Sequence, residues 1–183
     1  MTVSKARSAR RVTTPRSAAK QDAVAMLEAD HAKVGAMFER FATMKADGVK
    51  KAALVAKICD ELETHMDIEE EIFYPSVRAA IRAGDLMDEA GVEHESFKAL
   101  IGQLRALKPG EGQYDARVTV LGEYLRHHVK EEQEQMFPKA RKTQIDLVAL
   151  ADAMRARRRE LLGGGSRTQE LFALTLAYPG MMI

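Results

Sequence analysis

Four of the five histidines in this 183-residue chain (His31, His65, His94 and His128) and two of its glutamates (Glu69 and Glu132) recur at matched intervals. His65 and Glu69, in THMDIEEEIFYP, stand four apart, as do His128 and Glu132 in HHVKEEQEQMFP, and each Glu is followed six residues on by proline. His31 to His65 and His94 to His128 are both 34 residues, while His31 to His94, His65 to His128, Glu69 to Glu132 and Pro75 to Pro138 are each 63. A His and a Glu at i and i+4 lie on one helix face about a turn apart, so their donor atoms can converge on one point. Two such pairs on facing helices, with one His from each of two further helices, make a box of six N and O donors. Its carboxylates can each bridge two cations. Two His per metal and two shared carboxylates supply about four protein bonds to each ion. A solvent-derived bridge would bring about five and leave roughly one open position on an octahedral ion.

These donors need helices to carry them, and the composition is helical: rich in Leu, Ala, Met, Glu, Lys and Arg, with no Trp and only 5 Pro. The pattern predicts helices over 21–45, 49–83 (kinked or interrupted by Pro75), 85–107 (capped by Asp85) and 114–138, then a fifth from TQIDLVALADAMRARRRELL. Short connections between long helices favour antiparallel neighbours. The expected fold is all-α: an antiparallel up-down-up-down four-helix bundle with a fifth C-terminal helix and flexible tails. The division is a basic disordered tail (1–20), the bundle (21–141), the C-terminal helix (142–162), and a Gly-rich linker with an apolar terminal segment (163–183).

Residues spaced alternately three and four apart mark the core faces. They read Leu27, His31, Val34, Phe38, Phe41; Leu54, Ile58, Leu62, His65, Glu69, Ile72; Ala90, His94, Phe97, Ile101, Leu104; and Val118, Leu121, Leu125, His128, Glu132, Gln135. Ionisable groups on a core face are costly unless paired or bound to a metal. A single buried His is more often a hydrogen-bonded core residue than a ligand, and a single HxxxE is often a surface ion pair. Six matched core positions favour metal. His127, among polar helical neighbours, is expected to point outward, and Glu70, Glu71, Glu131 and Glu134 to form a solvated face. Glu61 could support His65 or lie at the surface; Tyr124 could donate near the site or simply pack. A ferritin-like carboxylate bundle needs Glu-x-x-His on two helices, and EADH ending at His31 supplies it once.

Charge is uneven. Residues 1–20 carry six Lys/Arg and no acid, 21–140 are net −8 (15 basic, 23 acidic), and 141–183 are net +3 (seven basic, four acidic). The basic tail could touch nucleic acid or acidic surfaces, but no DNA-reading motif accompanies it, and a nucleic-acid partner is not expected. The lone Cys59 cannot form an internal disulfide. No apolar run reaches the roughly 18 residues of a membrane span, and the N-terminus lacks the apolar region of a secretory signal. A cytoplasmic protein is expected.

The motifs DHAKV at His31, HMDIEEEIFYP at His65 and Glu69, EHESF at His94 and HVKEEQEQMFP at His128 and Glu132 resemble the hemerythrin-like proteins of the HHE cation-binding domain family, over about residues 26–140. The resemblance implies a non-haem di-iron centre, two Fe ions joined by an oxo or hydroxo bridge. His31, His65, His94 and His128 would be terminal ligands, and Glu69 and Glu132 bridging ones. Oxygen-carrying hemerythrins place a second His four residues after the third-helix His, where this chain has Lys98, and use a His and an Asp five apart on the fourth. One imidazole fewer implies a more symmetric, less saturated centre. That moves weight from O2 carriage toward reaction with, or sensing of, O2, peroxide or nitric oxide under oxidative or iron stress. Catalase-like or other di-iron oxidoreductase activity stands beside a non-catalytic iron/O2 sensor or iron store. Residues 166–183 are expected to pack on the bundle or on a second subunit, or to act as a docking peptide. Some hemerythrin-like proteins are encapsulin cargo through a terminal peptide of that layout.

Overall fold

The computed structural model describes residues 21–45, 48–81 and 83–163; the expectations for the two tails fall outside it. Helix α1 spans Ala23–Thr43, and Asp22 caps it by accepting from the Ala25 N–H at 2.8 Å. Helix α2 spans Gly48–Ile68, α3 Tyr74–Ile81, α4 Gly84–Arg105, α5 Tyr114–Glu131, α6 Phe137–Ala140 and α7 Leu147–Gly163. Among the described residues there is no strand. Helices α1 and α4 each pack against both α2 and α5, which closes the four-helix bundle.

Asp85 does not cap α4. Ala83 holds the cap position without a side-chain bond, and Asp85 sits in the first turn, where the helix dipole still favours its charge. Asp146 caps α7 instead, accepting from the Val148 and Ala149 N–H groups at 3.0 and 2.9 Å. Asp146→Ala is expected to lower stability by about 1 kcal/mol, read as a shift in the urea midpoint with an unchanged slope.

The prolines act through wide turns. Glu69–Phe73 and Glu132–Met136 are single π-helical turns, in which Tyr74 N–H donates to Glu69 C=O and Phe137 N–H to Glu132 C=O, five residues back. Each turn holds one residue more than an α-turn, with proline two positions after its last residue, where the missing N–H would otherwise break the ladder. The extra residue rotates everything downstream. The stripes read in α-register therefore fail at their last positions: Ile72 is only half-buried and Gln135 is exposed, while Phe73 and Tyr74, Met136 and Phe137 enter the core.

The core is divided in two. One cluster, around Leu27, Ile68, Phe73, Val77, Phe137 and Met154, joins the proline ends of the bundle to α7. The other, around Ile58, Leu62, Phe97, Ile101 and Leu121, fills the opposite end. A layer of His and Glu lies between them.

Candidate metal centre

The helices bring all six sequence-predicted residues together. His31 (α1), His65 (α2), His94 (α4) and His128 (α5) are each at most 5 % exposed, and Glu69 and Glu132, which open the π-turns, at most 1 %. The donors form two groups, one of His31, His65, Glu69 and Glu132, the other of Glu69, His94 and His128. His31 Nε2 and His65 Nε2 are 3.0 Å apart, His94 Nε2 and His128 Nε2 3.3 Å. Each helix pair therefore supplies its own histidine pair.

The glutamates join the groups. Glu69 Oε1 is 3.2 Å from His65 Nε2 and its Oε2 is 3.5 Å from His94 Nε2. Glu132 Oε2 is 3.2 Å from His31 Nε2 and 3.5 Å from His128 Nε2. Donors bonded to one ion at roughly 2.1 Å sit about 3.0–3.4 Å from one another, so these separations suit metal ligands. Glu69 Oε1 and Glu132 Oε2 are buried without a hydrogen-bond partner, which an apolar core tolerates poorly. The donor set fits a pair of divalent cations.

A second ring of groups holds the imidazoles from behind. His94 Nδ1 donates to Glu70 Oε1 at 2.9 Å and His128 Nδ1 to Glu93 Oε2 at 2.7 Å. The Gln133 amide lies 3.5 Å from His31 Nδ1, and Asp30 Oδ2 lies 3.7 Å from His65 Nδ1. The bonds from His94 and His128 turn their Nε2 atoms to the centre, as metal-ligating histidines require, while Asp30 is an ion-pair neighbour of His65 without a hydrogen bond. Glu70 is thus not simply part of a solvated face: it supports His94 and accepts from Lys98 at 2.7 Å. These groups repeat as the ligands do, Asp30 to Glu93 and Glu70 to Gln133 being 63 residues apart. That repeat was the signal that would have found them. Arg158 of α7, whose spacing gives no such hint, donates to both Asp30 oxygens.

One pair breaks the symmetry. Tyr74 stacks on His94 at 5.7 Å, and Phe137, its counterpart 63 residues on, stacks on His31 at 5.8 Å. Only the tyrosine has a hydroxyl, which donates to Glu132 Oε1 at 2.9 Å and also lies 3.3 Å from Glu69 Oε2. Burial, reinforced by the two carboxylates, pushes that phenol well above its ordinary range, so it stays a donor at neutral pH. The centre is therefore symmetric in its histidines but not in its hydrogen bonds.

The remaining candidates lie away from the centre. His127 is exposed and Tyr124 is 47 % exposed. Glu61 pairs with Lys33 at 2.5 Å on the surface. A cavity of about 530 Å³ is lined by Phe38, Phe41, Lys51 and Asp115 among others and touches none of the six. Size does not mark the chemistry here; buried donors do.

In the metal-free chain the buried carboxylates and imidazoles shift one another's titration. Burial alone would push the His65 imidazolium down, but Glu69 and Asp30 outweigh it and lift His65 to about 10. Burial would raise Glu132, but His128 and His31 hold it at about 2; Asp30, against His65 and Arg158, also falls to about 2. His65, raised from 6.5, stabilises the metal-free fold fully below pH 6.5, and this is lost as pH rises to about 10. Asp30 and Glu132, depressed from 3.8 and 4.5, stabilise it above those values and lose this as pH falls to about 2. Denaturation midpoints of metal-free protein should fall on both sides of a plateau between about pH 4.5 and 6.5. A midpoint that keeps rising from pH 7 to 10 would contradict the His65 pairing.

The family model of the Hemerythrin HHE cation binding domain matches residues 22–140. The chain belongs to that family. A structural likeness agrees at the level of fold: a hemerythrin HHE cation binding domain-containing protein from Mycobacterium kansasii aligns with a TM-score of 0.67 and 23 % identity, over 78 % of this chain and 88 % of that one. A DNA nickase of Nostoc sp. is 31 % identical over 117 residues, which are 64 % of this chain and 32 % of the nickase. The chain thus spans about a third of that relative. This HHE domain has no helix, among the described residues, long and apolar enough to cross a membrane.

Proposed function

We propose that the HHE domain holds two iron ions between its histidine pairs and uses them to react with, or sense, O2, peroxide or nitric oxide. The observation that carries this reading is Glu69, whose two oxygens face histidines of different groups, 3.2 Å from His65 and 3.5 Å from His94. A carboxylate so placed favours a pair of ions over one. Mixed imidazole and carboxylate donors suit iron, which would supply redox chemistry with such small ligands.

The protein's own part is to orient and to exclude. Glu70 and Glu93 fix two of the imidazoles, the buried ring of Phe137 covers His31, and the Tyr74 hydroxyl keeps a proton beside the carboxylates. A non-catalytic sensor or store would use the same donors, so turnover decides between the readings. Action on DNA, as the nickase's name suggests for that protein, is disfavoured by the net −8 of residues 21–140 (15 basic, 23 acidic), which repels phosphate.

The test is iron content with the visible spectrum of anaerobically reduced protein, before and after O2 or peroxide. About two irons per chain and an O2-dependent spectral change are expected. Steady peroxide consumption then favours an enzyme, and a single stoichiometric response a sensor. No iron and no change would leave the layer as a buried ion-pair network.

A further inference from the structure

The buried centre needs a way in, and one surface cluster stands at its edge. Glu93 of α4 and His127 and Glu131 of α5 converge, with their donor atoms all within 4.8 Å of one another. His127 Nε2 is 3.7 Å from Glu93 Oε1 and 3.7 Å from Glu131 Oε1. These separations are too long for hydrogen bonds and near those of donors sharing one cation. Glu93 is two-sided: its other oxygen, Oε2, accepts from His128 Nδ1 at 2.7 Å.

A cleft of about 10 Å³, room for roughly one water, is lined by residues of both levels, though not by His127. Glu93 and Glu131, 20 % and 27 % exposed, stand at its outer side; His128 and Glu132, each 2 % exposed, line its inner side; Leu86 and Met136 are among the apolar walls. Beyond it Glu132 Oε2, a buried atom with no hydrogen-bond partner, faces His31 and His128 at 3.2 and 3.5 Å.

We propose that Glu93, His127 and Glu131 form a capture site for a divalent cation, which passes through this cleft to the buried donors. A hydrated cation cannot enter an apolar bundle unaided, because shedding its water without replacement ligands is prohibitive. Two carboxylates and an imidazole exchange for part of that water at the surface, and the next carboxylate lies one layer in. The cluster is not a third buried site: His127 is exposed, with a side-chain exposure of 64 %, so it can bind and release.

This inference rests on the two-ion reading of the buried centre, and the experiment separates them. Co(II) is added at limiting concentration to metal-free protein, and uptake is followed by visible absorption in wild type, in the double variant His127→Gln/Glu131→Gln, and in Glu69→Ala. The double variant is expected to reach the wild-type two ions per chain and the wild-type melting temperature, with uptake slowed about tenfold, as loss of a charged funnel predicts. Equal rates at full stoichiometry overturn the capture site and leave the buried centre standing. Equal Co(II) content in wild type and Glu69→Ala overturns the buried centre, and the loading role with it.

Discussion

Glu69→Ala is expected to cut metal content from two ions per chain to less than one and to abolish stabilisation by metal. Glu69 is the residue common to both donor groups, and on the proposed two-ion reading its removal would take one ligand from each ion and the link between them. At a cation concentration 100 times Kd, a single site contributes about 2.7 kcal/mol of stability, so wild type should melt higher on metal addition and the variant should not. The metal-free variant should itself be less stable than wild type, because the carboxylate that helps lift His65 is gone and a buried cavity is left, so the comparison is of each protein with and without metal. Melting curves with and without Co(II), alongside metal analysis, check both halves. A variant that retains two ions, with the same rise in melting temperature on metal addition, would overturn the two-ion centre.

Phe73→Ala is expected to lower stability by about 3–5 kcal/mol, the cost of emptying a large, fully enclosed aromatic site. Phe73 is 0 % exposed and meets Phe137 edge to face at 5.8 Å, the two rings joining the π-turn regions of the paired halves. Phe137 in turn stacks on His31 at 5.8 Å, so the cavity would open directly beneath the donor layer. Urea denaturation of metal-free protein gives the loss. A change under about 1 kcal/mol would mean that the proline ends collapse to refill the space, which close packing normally prevents.

The six donors, the bundle and its two-fold repeat were legible because spacing encodes them. A helix projects i and i+4 onto one face, and a chain that writes the same helix pair twice repeats every interval. The supports Asp30, Glu70, Glu93 and Gln133 obey the same 63-residue rule, yet taken one at a time they look like ordinary surface polars. The π-turns were not legible. Proline announces a disturbance, but whether the chain breaks, kinks or widens is decided by packing, and here Phe73 and Phe137 settle it by entering the core in place of Ile72 and Gln135. Arg158 on Asp30 was hidden for another reason: no periodicity relates α7 to α1, 128 residues away.

The polar layer between the two hydrophobic clusters has a bearing on cooperativity. Apolar side chains couple distant parts of a fold by excluding water continuously, and a sheet of ionisable groups interrupts that continuity. Without cations the proline end, with α7, and the opposite end of the bundle meet through the buried histidines, as where Tyr74 and Phe97 pack on His94. Cations bound to α1, α2, α4 and α5 at once would bolt the two ends together at their seam. The metal would then act as a mechanical fastener, and melting would become one concerted event where the metal-free chain loosens from two directions.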